Sequence, residues 1–258
     1  MRQTDAKQLV IAYIGGGSRG WAWGYMKDLA LDGDICGTVR LYDIDRPAAE
    51  RNQIIGNKIS AHPDAVSRWK YEVSASLREA LTGADFVVIS ILPGTFAEMR
   101  SDVHLPERVG VWQPVGDTVG PGGFIRAMRT IPMFAEIGQA IRDYAPDAWV
   151  INYTNPMTLC VRTLYEVFPG VKAFGCCHEV FSTQSLLCAI LKRERGITAE
   201  RHELYTTVTG INHFTWLTRA SYRDIDLMPL YAKYAWDAPE GLETAEEGAW
   251  KDSVFGNA

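Results

Sequence analysis

Leu9-Val10-Ile11-Ala12-Tyr13-Ile14-Gly15-Gly16-Gly17-Ser18-Arg19-Gly20 is the stretch that decides the fold. Six apolar residues ended by glycines read as a strand buried on both faces, the pattern of parallel sheets rather than half-solvated antiparallel ones. The Gly-x-Gly-x-x-Gly spacing that follows lies between this strand and a helix read over Trp21 to Leu31. That is the setting in which a glycine-rich turn carries a dinucleotide pyrophosphate. Gly15 permits the tight turn, Gly17 lets the backbone approach the phosphates, and Gly20 is expected to let helix pack closely on strand. Gly16, Ser18 and Arg19 complete the loop, and the start of the helix offers free N–H groups and a positive dipole end to the phosphates. A second strand, Thr38 to Asp43, ends on an acid about twenty residues past the last glycine, where a carboxylate binds ribose hydroxyls. Its charge opposes a 2′-phosphate, so NAD is expected over NADP.

Working outward, strands alternate with helices: Pro47 to Ile59 reads as helix, Lys70 to Ser74 and Ala84 to Leu92 as strands. Phe124 to Tyr144 is a long helix, and Trp149 to Tyr153 and Val171 to Phe174 are strands. The predicted class is α/β, a Rossmann-like doubly wound parallel sheet. From about Arg201 the pattern changes, and Glu203 to Thr209 and Phe214 to Ala220 read as strands of a different sheet. We therefore expect an NAD-binding domain over residues 1–200 and the beginning of a mixed α+β substrate and metal domain over 201–258.

The whole chain has 258 residues, room for one large domain or two unequal ones at about 150 residues each. Its 26 basic and 31 acidic side chains give a net charge of −5 without a basic block, which argues against nucleic acid as a partner. No apolar run approaches the roughly eighteen residues of a membrane span, and the N-terminus lacks the layout of a secretion signal. Five cysteines without CxxC spacing point to a reducing cytoplasm.

Three polar motifs lie beyond the nucleotide loop: Gly116-Asp117-Thr118-Val119-Gly120-Pro121-Gly122-Gly123, Asn152-Tyr153-Thr154-Asn155-Pro156-Met157, and Cys176-Cys177-His178-Glu179 with Gly210-Ile211-Asn212-His213 further on. A plain hydride-transfer enzyme needs an acid/base beside the nicotinamide but has no use for a Cys and a distant His that could share a metal. Together with GGGSRGW, these motifs resemble the NAD- and manganese-dependent glycoside hydrolases of family 4, most closely their α-galacturonidase branch. This family departs from two-carboxylate glycosidase chemistry. The resemblance covers essentially all of the chain.

The resemblance implies that Cys177 and His213 bind Mn2+, that Asn155 binds substrate, and that Asp117 and His178 act at the scissile bond. It implies that NAD⁺ takes hydride from sugar C3, that the acidified C2 proton leaves with metal assistance, and that the C1 oxygen is eliminated before water adds. It also implies a homo-oligomer, dimer or tetramer. Arg100, Arg126 and Arg129 are available for the C6 carboxylate of a galacturonide. Alternatives are an α-glucosidase or α-galactosidase of the same family, a 2-hydroxy-acid dehydrogenase, or a non-catalytic NAD-binding fragment. Family members continue well past this chain and carry a tyrosine that acts as C2 base. Tyr222, Tyr231 and Tyr234 match no such motif, so the chain is expected to be C-terminally truncated and to bind nucleotide without turnover.

Overall fold

The computed structural model describes residues 7–113 and 117–237, so Gly116 and the last part of the expected second domain lie outside it. Contacts divide the chain into two compact units, Met1–Cys176 and Cys177–Ala258.

The first unit is built as β1 (Lys7–Ile14), α1 (Gly20–Leu31), β2 (Ile35–Tyr42), α2 (Arg46–Ser60), β3 (Trp69–Val73), α3 (Leu77–Leu81), β4 (Phe86–Ile89), α4 (Phe96–His104), α5 (Gly120–Tyr144), β5 (Trp149–Asn152), α6 (Met157–Val167) and β6 (Lys172–Gly175). The strands form one parallel sheet in the order β3-β2-β1-β4-β5-β6. The order reverses between β1 and β4, the switch point outside which such sheets bind ligands. The apolar run of β1 serves two cores at once. Leu9, Ile11 and Tyr13 pack with Ala22, Met26, Leu29 and Ala49 of α1 and α2. Ala12 and Ile14 pack with Leu81, Phe134, Ile141 and Leu164 on the other face. This two-sided burial is the physical reason the run is unbroken.

Two elements differ from their sequence reading. β4 pairs only over Phe86–Ile89, because the N–H of Ile91 turns to the Thr154 hydroxyl (2.9 Å) instead of continuing the ladder. α5 starts at Gly120 rather than Phe124, with Pro121 in its first turn, where a missing N–H costs nothing.

The second unit holds α7 (Glu179–Arg195), β7 (Leu204–Ile211), β8 (Phe214–Tyr222), β9 (Ile225–Asp226) and α8 (Met228–Asp237), with β7-β8-β9 antiparallel. Leu187 and Leu191 of α7 share a core with Leu204, Ala220, Tyr222 and Leu227. α7 thus packs with the antiparallel sheet, although its residues fall inside the 1–200 span read as the cofactor domain. Among the described residues no helix is long and apolar enough to cross a membrane.

Candidate active site

The glycine turn is held from below by backbone. Gly15 and Gly16 both donate N–H to the Tyr42 carbonyl at 2.9 Å, and Ser18 donates to the Gly15 carbonyl at 3.0 Å. Gly15 has φ +91°, and a Cβ there would stand 1.9 Å from the Ser90 carbonyl oxygen. Gly20 does not play the packing part expected of it: it is the exposed first residue of α1. The close approach to the sheet falls at Gly16 instead, whose Cβ would lie 2.7 Å from that of Leu41.

Asp43 faces this loop. Its Oδ2 accepts the Gly17 N–H (2.8 Å) and its Oδ1 the Asp45 N–H (2.9 Å), so the carboxylate is fixed beside the turn before any ribose arrives. A Cβ at Gly17 would come within 2.7 Å of Ala48, so the loop has no space for a side chain. Arg19, at the N-cap of α1, gives no side-chain cap, which leaves the first N–H groups of the helix for an anion. These features fit a dinucleotide.

Sequence reasoning missed Asn52, which is 3 % exposed. Its Nδ2 donates to the carbonyls of Gly16 (2.7 Å) and Ser18 (2.8 Å), and its Oδ1 accepts from Trp23 Nε1 (2.8 Å). An Asn on a helix gives no sign of such a reach. Asn52→Ala leaves buried carbonyls without a donor and is expected to cost about 1–3 kcal/mol in urea unfolding, with weaker NAD binding. Unchanged stability would show that the loop holds its shape without it.

At the carboxyl end of β5, the fully buried Asn152 accepts the Thr154 N–H and donates to the Thr154 carbonyl, each at 3.0 Å. This brace leads into Asn155, half-buried and followed by a cis peptide to Pro156. Asp117 is also half-buried, with the Thr118 hydroxyl 3.4 Å from its Oδ1. Both belong to the first unit.

The second unit brings Cys177 and His213 together: Sγ and Nε2 are 3.4 Å apart, across 36 residues of sequence. The β7–β8 hairpin does this. Ile211 pairs with Phe214, so Asn212 and His213 form a two-residue turn, with His213 in the left-handed region at φ 62°. Histidine is among the side chains that tolerate this region, and such outliers gather at functional sites. Glu179, which the sequence reading passed over, fastens the turn. Its Oε2 accepts the His213 N–H (2.9 Å) and the Asn212 Nδ2 (3.4 Å), and its Oε1 accepts the Thr215 hydroxyl (2.9 Å). The only prior sign was an acid in the first turn of α7, where the helix dipole favours one.

Burial pushes the Cys177 thiol up. Hydrogen bonds with the His213 ring, the Glu179 N–H and the Asn212 amide, with the His213 charge behind them, outweigh burial and hold the thiol below the ordinary cysteine range. Thiolate absorbance near 240 nm is therefore expected to titrate at lower pH than a free cysteine. His213→Ala removes the strongest opposing contact and is expected to move the midpoint upward. A midpoint that stays put on that substitution would contradict this account. Thiolate is the metal-binding form, so the depressed midpoint favours cation binding by this residue at lower pH than an ordinary cysteine would allow.

Among the described residues no group of three or more His, Cys, Asp or Glu side chains gathers around an ion position. Two donors leave the remaining positions to water and substrate oxygens, as a catalytic rather than a structural centre requires. A thiol and an imidazole nitrogen 3.4 Å apart are a donor pair that would suit one divalent cation. His178 is exposed at the N-cap of α7. Of the tyrosines after His213, Tyr222 is 5 % exposed in the core, Tyr231 packs against it, and Tyr234 lies under the Arg193 guanidinium.

Residues 10–193 match the model of the family 4 glycosyl hydrolases. An α-galacturonidase of Lachnoclostridium phytofermentans is 58 % identical over 247 residues, which cover 95 % of this chain and 53 % of that protein. A crystal structure described as a putative glucosidase, lplD, from Bacillus subtilis superposes with a TM-score of 0.88 at 55 % identity, over 96 % of this chain and 56 % of that one. A 6-phospho-α-glucosidase from gut microorganisms, solved with NAD and Mn2+, shares the fold at 22 % identity, with a TM-score of 0.76 over 90 % of this chain and 51 % of that one. The chain thus spans about half the length of the relatives it matches.

Proposed function

The chain belongs to family 4 of the glycosyl hydrolases, and from that premise we propose that the protein cleaves α-galacturonides, with NAD⁺ and Mn2+ as catalytic cofactors. The observation that carries this reading is the 3.4 Å pairing of Cys177 and His213 in a chain that also holds a dinucleotide loop. A 2-hydroxy-acid dehydrogenase needs the loop but has no use for a thiol–imidazole pair. The 58 % identity to an enzyme named for galacturonides supports the sugar class.

When bound, NAD⁺ supplies reversible oxidation at sugar C3 and the cation a Lewis acid, which together make the C2 proton removable and the C1–O bond breakable by elimination. The chain's residues position these groups. Asp43 fixes the ribose through oxygens already oriented by Gly17 and Asp45. Cys177 and His213 hold the cation, and Glu179 keeps His213 turned toward it. In this reading Asn155 binds a sugar hydroxyl, Asp117 supplies a negative charge near the reacting carbons, and His178 gives a proton to the departing glycosidic oxygen. The five free cysteines suit a reducing cytoplasm. Exposed Phe124, Met128 and Ile131 along α5 support assembly into a homo-oligomer.

With the full-length protein, release of nitrophenol from 4-nitrophenyl α-D-galacturonide is expected only when NAD⁺ and Mn2+ are both present under reducing conditions. Hydrolysis undiminished without them would defeat the mechanism, and steady NADH accumulation on a 2-hydroxy acid would favour the dehydrogenase.

A further inference from the structure

The C-terminal end of α5 leads into the start of β5, so its first turns lie at the carboxyl edge of the sheet, where ligands of this fold bind. The buried face there runs through Gly122, Arg126 and Thr130. Arg126 is 6 % exposed, and its Nε is closed off from solvent without a hydrogen-bond partner. Among the described residues no carboxylate forms an ion pair with it. Its neighbour Arg129 shares the closed-off, unpartnered Nε but gives both terminal nitrogens to Asp102, with Nη1 to Oδ1 at 3.0 Å. Arg100 is exposed. Of the three arginines available to an anionic sugar, only Arg126 is both buried and unengaged.

A second donor lies against the first turn of α5. Gln113 Nε2 is also shut off from solvent without an acceptor, and it lies 2.6 Å from the place a Cβ on Gly122 would take. Helical side chains lean back toward the N-terminus, which carries Arg126 toward Gly122 and thus toward this amide. α5 has no side-chain cap at its start. The Arg126 charge also acts on the buried Cys160 thiol, in opposition to burial, as a cation beside the first turns of α6 would, and the Asp117 carboxylate acts on it in the other direction; α6 begins two residues after Asn155. A guanidinium Nε and an amide Nε2 that are closed off from solvent and have no acceptor among the described residues are costly to bury, and an incoming acceptor would satisfy them. An acidic sugar carries such an acceptor in its carboxylate.

We propose that Arg126, assisted by the Gln113 side-chain amide, receives the C6 carboxylate of the galacturonide and sets the preference for a uronic acid over the neutral sugar. A guanidinium fork suits a planar carboxylate, which it meets with two parallel hydrogen bonds. The inference rests on the galacturonidase reading and names the residue that reads the substrate's charge.

The test is the ratio, in the full-length protein, of kcat/KM for 4-nitrophenyl α-D-galacturonide to that for 4-nitrophenyl α-D-galactoside. Arg126→Gln is expected to lower this ratio by about 30- to 1000-fold, mainly through KM for the galacturonide. Arg126→Lys keeps the charge but loses the fork, and is expected to lower it by at least about tenfold. The lysine variant decides the matter if the glutamine variant does not fold. An unchanged ratio, or equal losses on both sugars, would give Arg126 a structural role and overturn the proposal alone. A wild-type protein that cleaves the galactoside and ignores the galacturonide would overturn the galacturonidase reading, and the proposal with it.

Discussion

Cys177→Ala and His213→Ala are each expected to lower Mn2+-dependent cleavage by about a thousandfold or more, while NAD binding by the same protein persists. The size follows from the role. A Lewis acid contributes several kcal/mol to stabilising charge in the transition state, and each 1.4 kcal/mol is a factor of ten in rate. In the proposed site the thiol and the imidazole lie 3.4 Å apart, so either substitution would take away half of this pair. Stability should change little, because His213 is exposed in a hairpin turn and Cys177 is only half-buried. Glu179→Ala provides a graded comparison. It loosens the turn without removing a donor, so metal affinity should fall about 10- to 100-fold and activity should return at high Mn2+. Steady-state rates across a Mn2+ titration separate these cases. A fully active Cys177→Ala protein would remove the pair from the mechanism.

Gly15→Ala is expected to destabilise the first unit by about 3–5 kcal/mol and to weaken NAD binding at least a hundredfold. Two costs add here. The residue holds φ +91°, which side chains rarely adopt, and the new Cβ would stand 1.9 Å from the Ser90 carbonyl oxygen. Ser90 cannot give way cheaply, because its N–H donates to Ile14 at 2.9 Å and β1 is laddered to β4. Gly24→Ala is the matched control. It lies in α1 with nothing within 4 Å of the new methyl group, so it should stabilise by up to about 1 kcal/mol. Urea midpoints and NAD titrations of the two variants give the comparison. Equal behaviour would show that the turn is not sterically closed.

Much of this architecture was legible in the sequence because it is written locally. The apolar run of β1 followed by glycines announces a doubly covered parallel strand, and Asp43 at the end of the next strand completes the nucleotide loop. The hairpin carrying His213 was legible as two strands apart from the main sheet. What escaped depends on long-range partners. Asn52 acts on carbonyls 34 and 36 residues away, and Glu179 on a turn 33 to 36 residues away, distances along the chain that no local pattern encodes. α7 packs with the antiparallel sheet because Leu187 and Leu191 meet Leu204 and Tyr222, a contact invisible to periodicity. Gly20 was assigned the close packing that belongs to Gly16, since the spacing of glycines does not tell which one faces Leu41. The arginines of α4 and α5 looked equivalent until burial separated Arg126 from Arg129 and Arg100.

In the proposed reaction a dinucleotide and a metal serve a single elimination, in which the C2 proton of the sugar is removed before the C1 bond breaks. Cleavage of 4-nitrophenyl α-D-galacturonide in D2O, with mass analysis of the released galacturonate, tests it most directly. The account predicts one carbon-bound deuterium at C2 of the product. Galacturonate released with no carbon-bound deuterium, as direct displacement at C1 would give, would contradict it.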